Sequence, residues 1–335
     1  LTVFKMSLHT TPATRFDSFH LYRTSYKKIG DHEIEVNVLV PKELTQGKQP
    51  VMVKWHGGGL VSIAIMMDQL TANPKYQTTG TAAFPDWFSA FLVPFLHRNN
   101  AITILPNYRL APEHNGDDML EDIADFWTWF STSLPIYLAS KQPSLELDFS
   151  KVLVAGDSAG SWCALQSVFT LPETAFRACF IQYPVTNAFP TSPDDKPFGQ
   201  SIPPKEVLEE FLANIVPGTI VSGAIPPARP WMSAMMRAHG RWGEIFGTGK
   251  HLMPDTRIGD AKFFVPTFII HGKDDTVVPV KWTHAFADKA KEMFPDTRIE
   301  VVTPPGDHGF DNVIYEEDEP WLRELLKGVE EEWLA

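Results

Sequence analysis

Hydrophobic and polar positions alternate from about Phe19 to Pro41 in two stretches, LYRTSYKKIG and HEIEVNVLVP, most clearly in the second, with Gly30-Asp31 between them. Successive side chains of an extended strand point to opposite faces, so the pattern predicts an antiparallel edge pair closed by a tight turn. Beyond it the pattern changes. Short, continuous apolar runs (VMVKW, AITILP, KVLVAG, ACFIQYP, PTFIIHG and RIEVVTP) predict strands buried on both faces. Between them apolar residues recur at helical spacing: in FPDWFSAFLVPFLHRNN, from Asp117 to Ala139, in SWCALQSVFTL, in WTHAFADKAKEMF, and from about Pro320 to Leu334. Such alternation predicts an α/β fold, a mostly parallel sheet with helices on both faces.

One segment breaks the rhythm. From about Thr186 to Lys262 the chain is rich in Pro and Gly and carries two amphipathic patches, KEVLEEFLANIV and WMSAMMRAHGRWGEIF. It reads as a cap inserted over the sheet, dividing the chain into a core of residues 1–185 and 263–335 and a cap of residues 186–262, with the extreme N-terminus assignable to either. The stripe of Val207, Leu208, Phe211, Leu212 and Ile215 is expected to pack rather than to bind.

Composition narrows the function classes. A chain of 335 residues with 44% hydrophobic content can bury a full core. A formal net charge of -12, with no run of Lys or Arg, argues against nucleic acid as a partner. The two cysteines, Cys163 and Cys179, lack metal-ligand spacing, so neither a disulfide framework nor a metal site is expected. No apolar run reaches the roughly 20 residues that span a bilayer. The opening LTVFKMSLHTTPATRF lacks the basic-then-apolar pattern of a signal peptide, which sets the expectation of a cytoplasmic protein. HExxH, a phosphate-binding loop and a GxGxxG after a strand are all missing from the sequence.

The strongest chemical signal is KVLVAGDSAGSWCALQ, where an apolar strand ends at Gly156-Asp157-Ser158-Ala159-Gly160 and a helix begins at once. Glycines flanking a serine allow a turn tight enough to lift Ser158 to its crest, at a helix N-terminus whose free N–H groups favour a developing oxyanion. A serine nucleophile needs a base, and in this motif's context the chain order is Ser, then Asp or Glu, then His. Of eleven histidines, His284 and His308 follow a candidate acid. His284 sits within a predicted helix, whereas His308 in PPGDHGF lies on a Gly-rich loop past a strand and is the expected base. PTFIIHGKDDTVVP offers Asp274 and Asp275 as the acid. KWHGGGL, directly after a predicted strand, lets backbone N–H groups approach a carbonyl; Gly58 and Gly59, with Ala159, are the expected oxyanion-hole donors, shaped by His56 and Gly57.

Taken together, HGGG, NYRLAPEH (Asn107 to His114), GDSAG, the late HG-x-x-D and GDHGF resemble the hormone-sensitive-lipase-like group of α/β-hydrolases, from about Ile34 onward. The resemblance implies a doubly wound, mostly parallel eight-stranded α/β-hydrolase sheet with a helical cap insertion, no cofactor, and hydrolysis of small to medium esters. Its usual HG-x-x-D-x-x-V-P spacing favours Asp275 over Asp274. Tyr108, Arg109 and Glu113 would brace the catalytic loops. Departures are Ser161 after GDSAG, Leu60 after HGGG, and DDTVVP in the acid loop.

Leu60, Trp231, Met235 and Phe310 are candidate substrate-binding residues, and the insertion adds Phe189, Phe198, Met232 and Met236 as candidate pocket walls, with core packing as the competing role. The leading expectation is a serine esterase acting on a small-molecule ester or lactone through an acyl-enzyme. The alternatives are another reaction on the same triad (lactone opening, acyl transfer or cyclisation of a natural product) and a non-catalytic receptor. A homodimer is left open.

Overall fold

The computed structural model describes residues 9–60, 83–188, 190–224, 229 and 231–335. The antiparallel pair forms as expected: β1 (Phe19–Ile29) and β2 (His32–Pro41) join through Gly30, whose φ of 59° lies in the left-handed region. There follow β3 (Lys48–Trp55), α1 (Leu92–Arg98), β4 (Ile102–Pro106), α2 (Gly116–Thr132), α3 (Leu134–Lys141), β5 (Glu146–Asp157), α4 (Ala159–Thr170) and β6 (Ala178–Gln182). Four short helices, α5 (Lys205–Ala213), α6 (Met232–Ala238), α7 (Trp242–Ile245) and α8 (Pro254–Arg257), precede β7 (Thr267–Ile270), α9 (Val280–Met293), β8 (Ile299–Val302) and α10 (Pro320–Trp333).

The eight strands form one sheet in the order β1-β2-β4-β3-β5-β6-β7-β8. β2 runs antiparallel to both neighbours, and every pair from β4 to β8 is parallel. The two-residue period divides the central strands between two cores: Val51, Val53, Val152 and Val154 face α2, α4 and α9, while Met52, Leu153 and Phe180 face α1 and α10. Helices therefore cover both faces, as in a doubly wound sheet. Cys163 and Cys179 are free and buried.

Three predicted helices are shorter than their apolar patterns suggest. The stretch FPDWFSAFLVPFLHRNN becomes helical only at Leu92, after a 3-10 turn at Pro85–Trp87. The pattern from Asp117 to Ala139 breaks at Ser133 because Pro135 cannot continue a helix but fits the first turn of a new one. WMSAMMRAHGRWGEIF divides at Gly240, which ends α6 with a φ of 71°. Within 186–262 the described residues hold α5 to α8 and no strand. This segment docks on the rest through Leu110 N–H to Val221 O (2.8 Å) and an Arg229–Glu113 ion pair of 2.5 Å. Leu208 of α5 is buried but Val207 is 46% exposed, so only part of that helix's apolar stripe packs.

The parallel strands all end on one side of the sheet. There the loops after β3, β5, β6, β7 and β8 meet, at the edge where open α/β sheets bind ligands.

Candidate active site

Ser158 sits between β5 and α4 with φ 51° and ψ −118°. Close approach explains the flanking glycines: a Cβ on Gly156 would lie 2.2 Å from Gly160 O, and one on Gly160 2.2 Å from Trp55 O. The strained residue is pinned, since its N–H donates to Gln182 O at 2.9 Å and its own carbonyl accepts from Ser161 N–H at 3.0 Å. The Ser161 hydroxyl donates to Gly156 O (2.8 Å) and Gln182 O (3.0 Å), so this departure from the family pattern adds a brace.

His308 Nε2 lies 3.0 Å from Ser158 Oγ, and its Nδ1 lies 2.7 Å from Asp275 Oδ2. The Asp275 side chain is fully buried, and its second oxygen accepts from the N–H groups of Val277 (2.8 Å) and Val278 (2.7 Å). Burial would raise the carboxyl's pKa, but the charge of His308 and hydrogen bonds from His271 and His308 outweigh it, holding the group well below the usual carboxylate range. Burial likewise pushes His308 down while Asp275 pulls it up more strongly, so its pKa lies above the ordinary imidazole value. The competing candidates lie elsewhere: Asp274 is exposed and accepts the Gly306 N–H at 3.2 Å, and His284 is exposed on α9.

The loop after β3 lies beside the serine. Gly58 and Gly59, with φ of 118° and 64°, line the same cleft as Ser158 and His308. Ala159 is the first residue of α4, where N–H groups have no partner within the helix. The Gly57 N–H is occupied, donating at 3.0 Å to Asp157 Oδ2, and the other Asp157 oxygen pairs with the buried Lys54 ammonium. Behind the loop His56 stacks on Tyr108, 4.5 Å between centroids, and the Tyr108 hydroxyl donates to His56 O at 2.9 Å. Burial lowers the His56 pKa to about 4, so at neutral pH it is an uncharged spacer. Arg109 pairs with Asp118, Glu121 and Asp122, and Glu113 with Arg229. Tyr108 thus braces the loop after β3, whereas Arg109 is tied to α2 and Glu113 to the 186–262 segment.

Of the residues singled out as substrate walls, Trp231, Met232 and Phe198 line the cleft, together with Trp87, Tyr183 and Val277. Three placements require correction. Leu60 is 1% exposed in the core, its carbonyl accepting the Ala111 N–H at 2.9 Å. Met235, like Met236, is buried in the main core cluster because it lies on the inner face of α6. Phe310 points away from the cleft, packing over Gly306 and Trp321. Phe189 lies outside the described residues.

Several residues at the site have no periodic signature. Tyr183 adopts φ 38° and sets its ring 4.4 Å from that of His308. Gln182, whose carbonyl holds the Ser158 amide, donates through its side chain to Ser89 Oγ (2.9 Å) and to buried Asp311. Burial raises the Asp311 pKa to about 6. Asp157 left one indirect trace, a lysine interrupting the apolar strand VMVKW, which demands a buried counter-charge. Among the described residues no cluster of three or more His, Cys, Asp or Glu could hold a metal ion, and no helix is long and apolar enough to cross a membrane.

A doubly wound sheet with a serine raised on a strand-to-helix turn and a late histidine beside it is the architecture of the α/β-hydrolase class of folds, and this chain has that fold. A family model described as alpha/beta hydrolase fold matches residues 78–240. Within the class the likeness is to the hormone-sensitive-lipase-like group. The chain is 27% identical to a probable carboxylesterase of Phoma sp., over 96% of its own length and 98% of the relative's. It is 22% identical to a non-reducing polyketide synthase of Preussia isomera, over 94% of its own length but 15% of that protein's. Esterase 2 of Thermogutta terrifontis, phosphonylated by sarin, superposes with TM-score 0.56 at 18% identity, covering 93% of each chain. The hyperthermophilic esterase from Pyrobaculum calidifontis gives 0.59 at 20% identity, over 94% of this chain and 84% of its own.

Proposed function

We propose that this hydrolase is a serine carboxylesterase working through an acyl-enzyme. The observation that carries the reading is the continuous chain from Ser158 Oγ to His308 (3.0 Å) to buried Asp275 (2.7 Å). As Ser158 Oγ attacks an ester carbonyl, His308 Nε2 takes its proton, and Asp275 fixes the tautomer and stabilises the imidazolium. The N–H groups of Gly58, Gly59 and Ala159 receive the oxyanion. Collapse expels the alcohol, which takes its proton from His308, and water repeats the sequence to free the acid.

The substrate is a neutral, largely apolar ester of small to medium size. Trp87, Phe198, Trp231, Met232 and Val277 supply the apolar walls, and residues 186–262 act as the cap that bounds them. A kcat/KM series over straight-chain acyl esters tests this, with Ser158→Ala as control. Each methylene that fits should add about 1 kcal/mol until the cap blocks growth. A flat series, or one rising without limit, would show that these walls do not bound the acyl pocket.

A second reading, acyl transfer or lactone chemistry on a natural product, is favoured by the likeness to one segment of a polyketide synthase. The same triad serves any nucleophile that reaches the acyl-enzyme. Recovery of an acyl-transfer product in the presence of added alcohols would distinguish it.

A further inference from the structure

Six non-glycine residues among those described have φ between 38° and 65°, and four of them line the cleft: Ser158 (51°), Tyr183 (38°), Phe198 (53°) and Trp231 (65°). A bulky side chain in the left-handed region is rare and strained, and such strain persists only where surrounding structure imposes it. The nucleophile turn accounts for Ser158. The other three are aromatic and come from three separate segments, where glycine would sit without strain.

Each is held in place. The Tyr183 N–H donates to Ile270 O at 2.6 Å, and the Phe198 N–H to Thr276 Oγ1 at 2.9 Å, beside the acid. The Trp231 carbonyl accepts the Met235 N–H at 2.7 Å, opening α6. Tyr183 and Phe198 flank the catalytic imidazole, with centroids 4.4 Å and 6.2 Å from that of His308. Trp231 and Phe198 are half-buried in the cleft wall, so neither position is explained by core packing alone.

We propose that Tyr183, Phe198 and Trp231 form a box for a planar aromatic ring, so that the preferred substrate is an ester of an aromatic carboxylic acid, its ring attached close to the scissile carbonyl. The proposal rests on the esterase reading above and narrows its substrate class. The physics separates it from mere apolarity: a saturated six-membered ring buries at least as much apolar surface as a benzene ring, so an unspecific apolar cleft would bind both alike or prefer the saturated one. Offset or edge-to-face contact with several rings favours the aromatic one, by about tenfold.

The test is calorimetric titration of the Ser158→Ala protein with methyl benzoate and with methyl cyclohexanecarboxylate. The benzoate should bind about tenfold more tightly. That ratio should fall toward one when Phe198→Gly or Trp231→Gly is added. Because glycine relieves the left-handed strain, Phe198→Gly should leave the thermal midpoint unchanged or higher while the preference is lost. Equal binding of the two esters, or a ratio unaltered by both glycine variants, would overturn the proposal. Aromatic preference in the Ser158→Ala protein, with no ester hydrolysed by the unaltered enzyme, would instead overturn the esterase reading alone.

Discussion

The carboxylate of Asp307 accepts from the Thr276 amide at 2.8 Å and from the Thr276 hydroxyl at 2.9 Å. Thr276 follows Asp275 and Asp307 precedes His308, so this contact ties the acid loop to the base loop one residue away from the triad. The same carboxylate accepts the His308 N–H at 2.7 Å. Charge-assisted bonds of this kind contribute about 1.5–3 kcal/mol each. Asp307→Ala should therefore lower kcat by about tenfold or more through misplacement of the imidazole, with little change in KM. Steady-state kinetics decide the point; an unchanged kcat would show that the two loops hold their places without it.

The neighbouring acids separate cleanly. Asp275 meets His308 and two backbone amides, whereas Asp274 is exposed and caps the Gly306 amide. Asp275→Asn should reduce turnover by up to about four orders of magnitude, because the partner that fixes the tautomer is lost. Asp274→Asn should be mild. The reverse pattern in ester hydrolysis would transfer the acid's role to Asp274.

The pH dependence has a defined sign. In the proposed mechanism neutral His308 is the base, and its pKa is raised above the ordinary 6.5, so kcat/KM should fall on acidification with a midpoint above that value. Removing the carboxylate's charge in Asp275→Asn should move the midpoint of any residual activity downward. For stability, the His308 contribution is complete below 6.5 and is lost as pH rises through the higher folded value. The Asp275 contribution is present above 3.8 and is lost as pH falls through the lower folded value. A kcat/KM midpoint below 6.5 in the unaltered enzyme would contradict the pairing.

The Lys54–Asp157 pair makes a stability prediction. Both side chains are buried, at 5% and 7% exposure. Asp157→Asn strands the ammonium without a counter-charge, a change that costs about 3–5 kcal/mol in comparable buried pairs. Urea unfolding should show a lower midpoint at unchanged slope. A midpoint equal to that of the unaltered protein would mean that Lys54 finds water or another acceptor.

The strands were legible because each is an apolar run or an alternation whose period survives folding; six lie within the stretches expected, while β3 and β5 begin earlier than their apolar runs, at Lys48 and Glu146. The helices were legible in position but not in extent, since Pro135 and Gly240 end them where apolar spacing continues. At the site, Ser158, His308 and the acid loop carried local signatures. Leu60, Met235 and Phe310 did not reach the cleft because spacing reports that a side chain is buried, not which side of its element faces the substrate. Gln182, Asp307 and Asp311 are single polar residues at strand ends or in loops. Gln182 pairs with Asp311, and Asp307 with Thr276, across more than 30 residues of chain, and no pattern along the sequence encodes such a pairing.

The identity of the nucleophile is tested most directly by covalent labelling. A serine-directed alkyl phosphonate, followed by intact-mass measurement and peptide mapping, should add one adduct, on the peptide containing Gly156 to Gly160, at Ser158. Ser158→Ala should take no label and lose ester turnover by about three orders of magnitude or more. Labelling of another serine, or turnover near the unaltered rate in Ser158→Ala, would contradict the account.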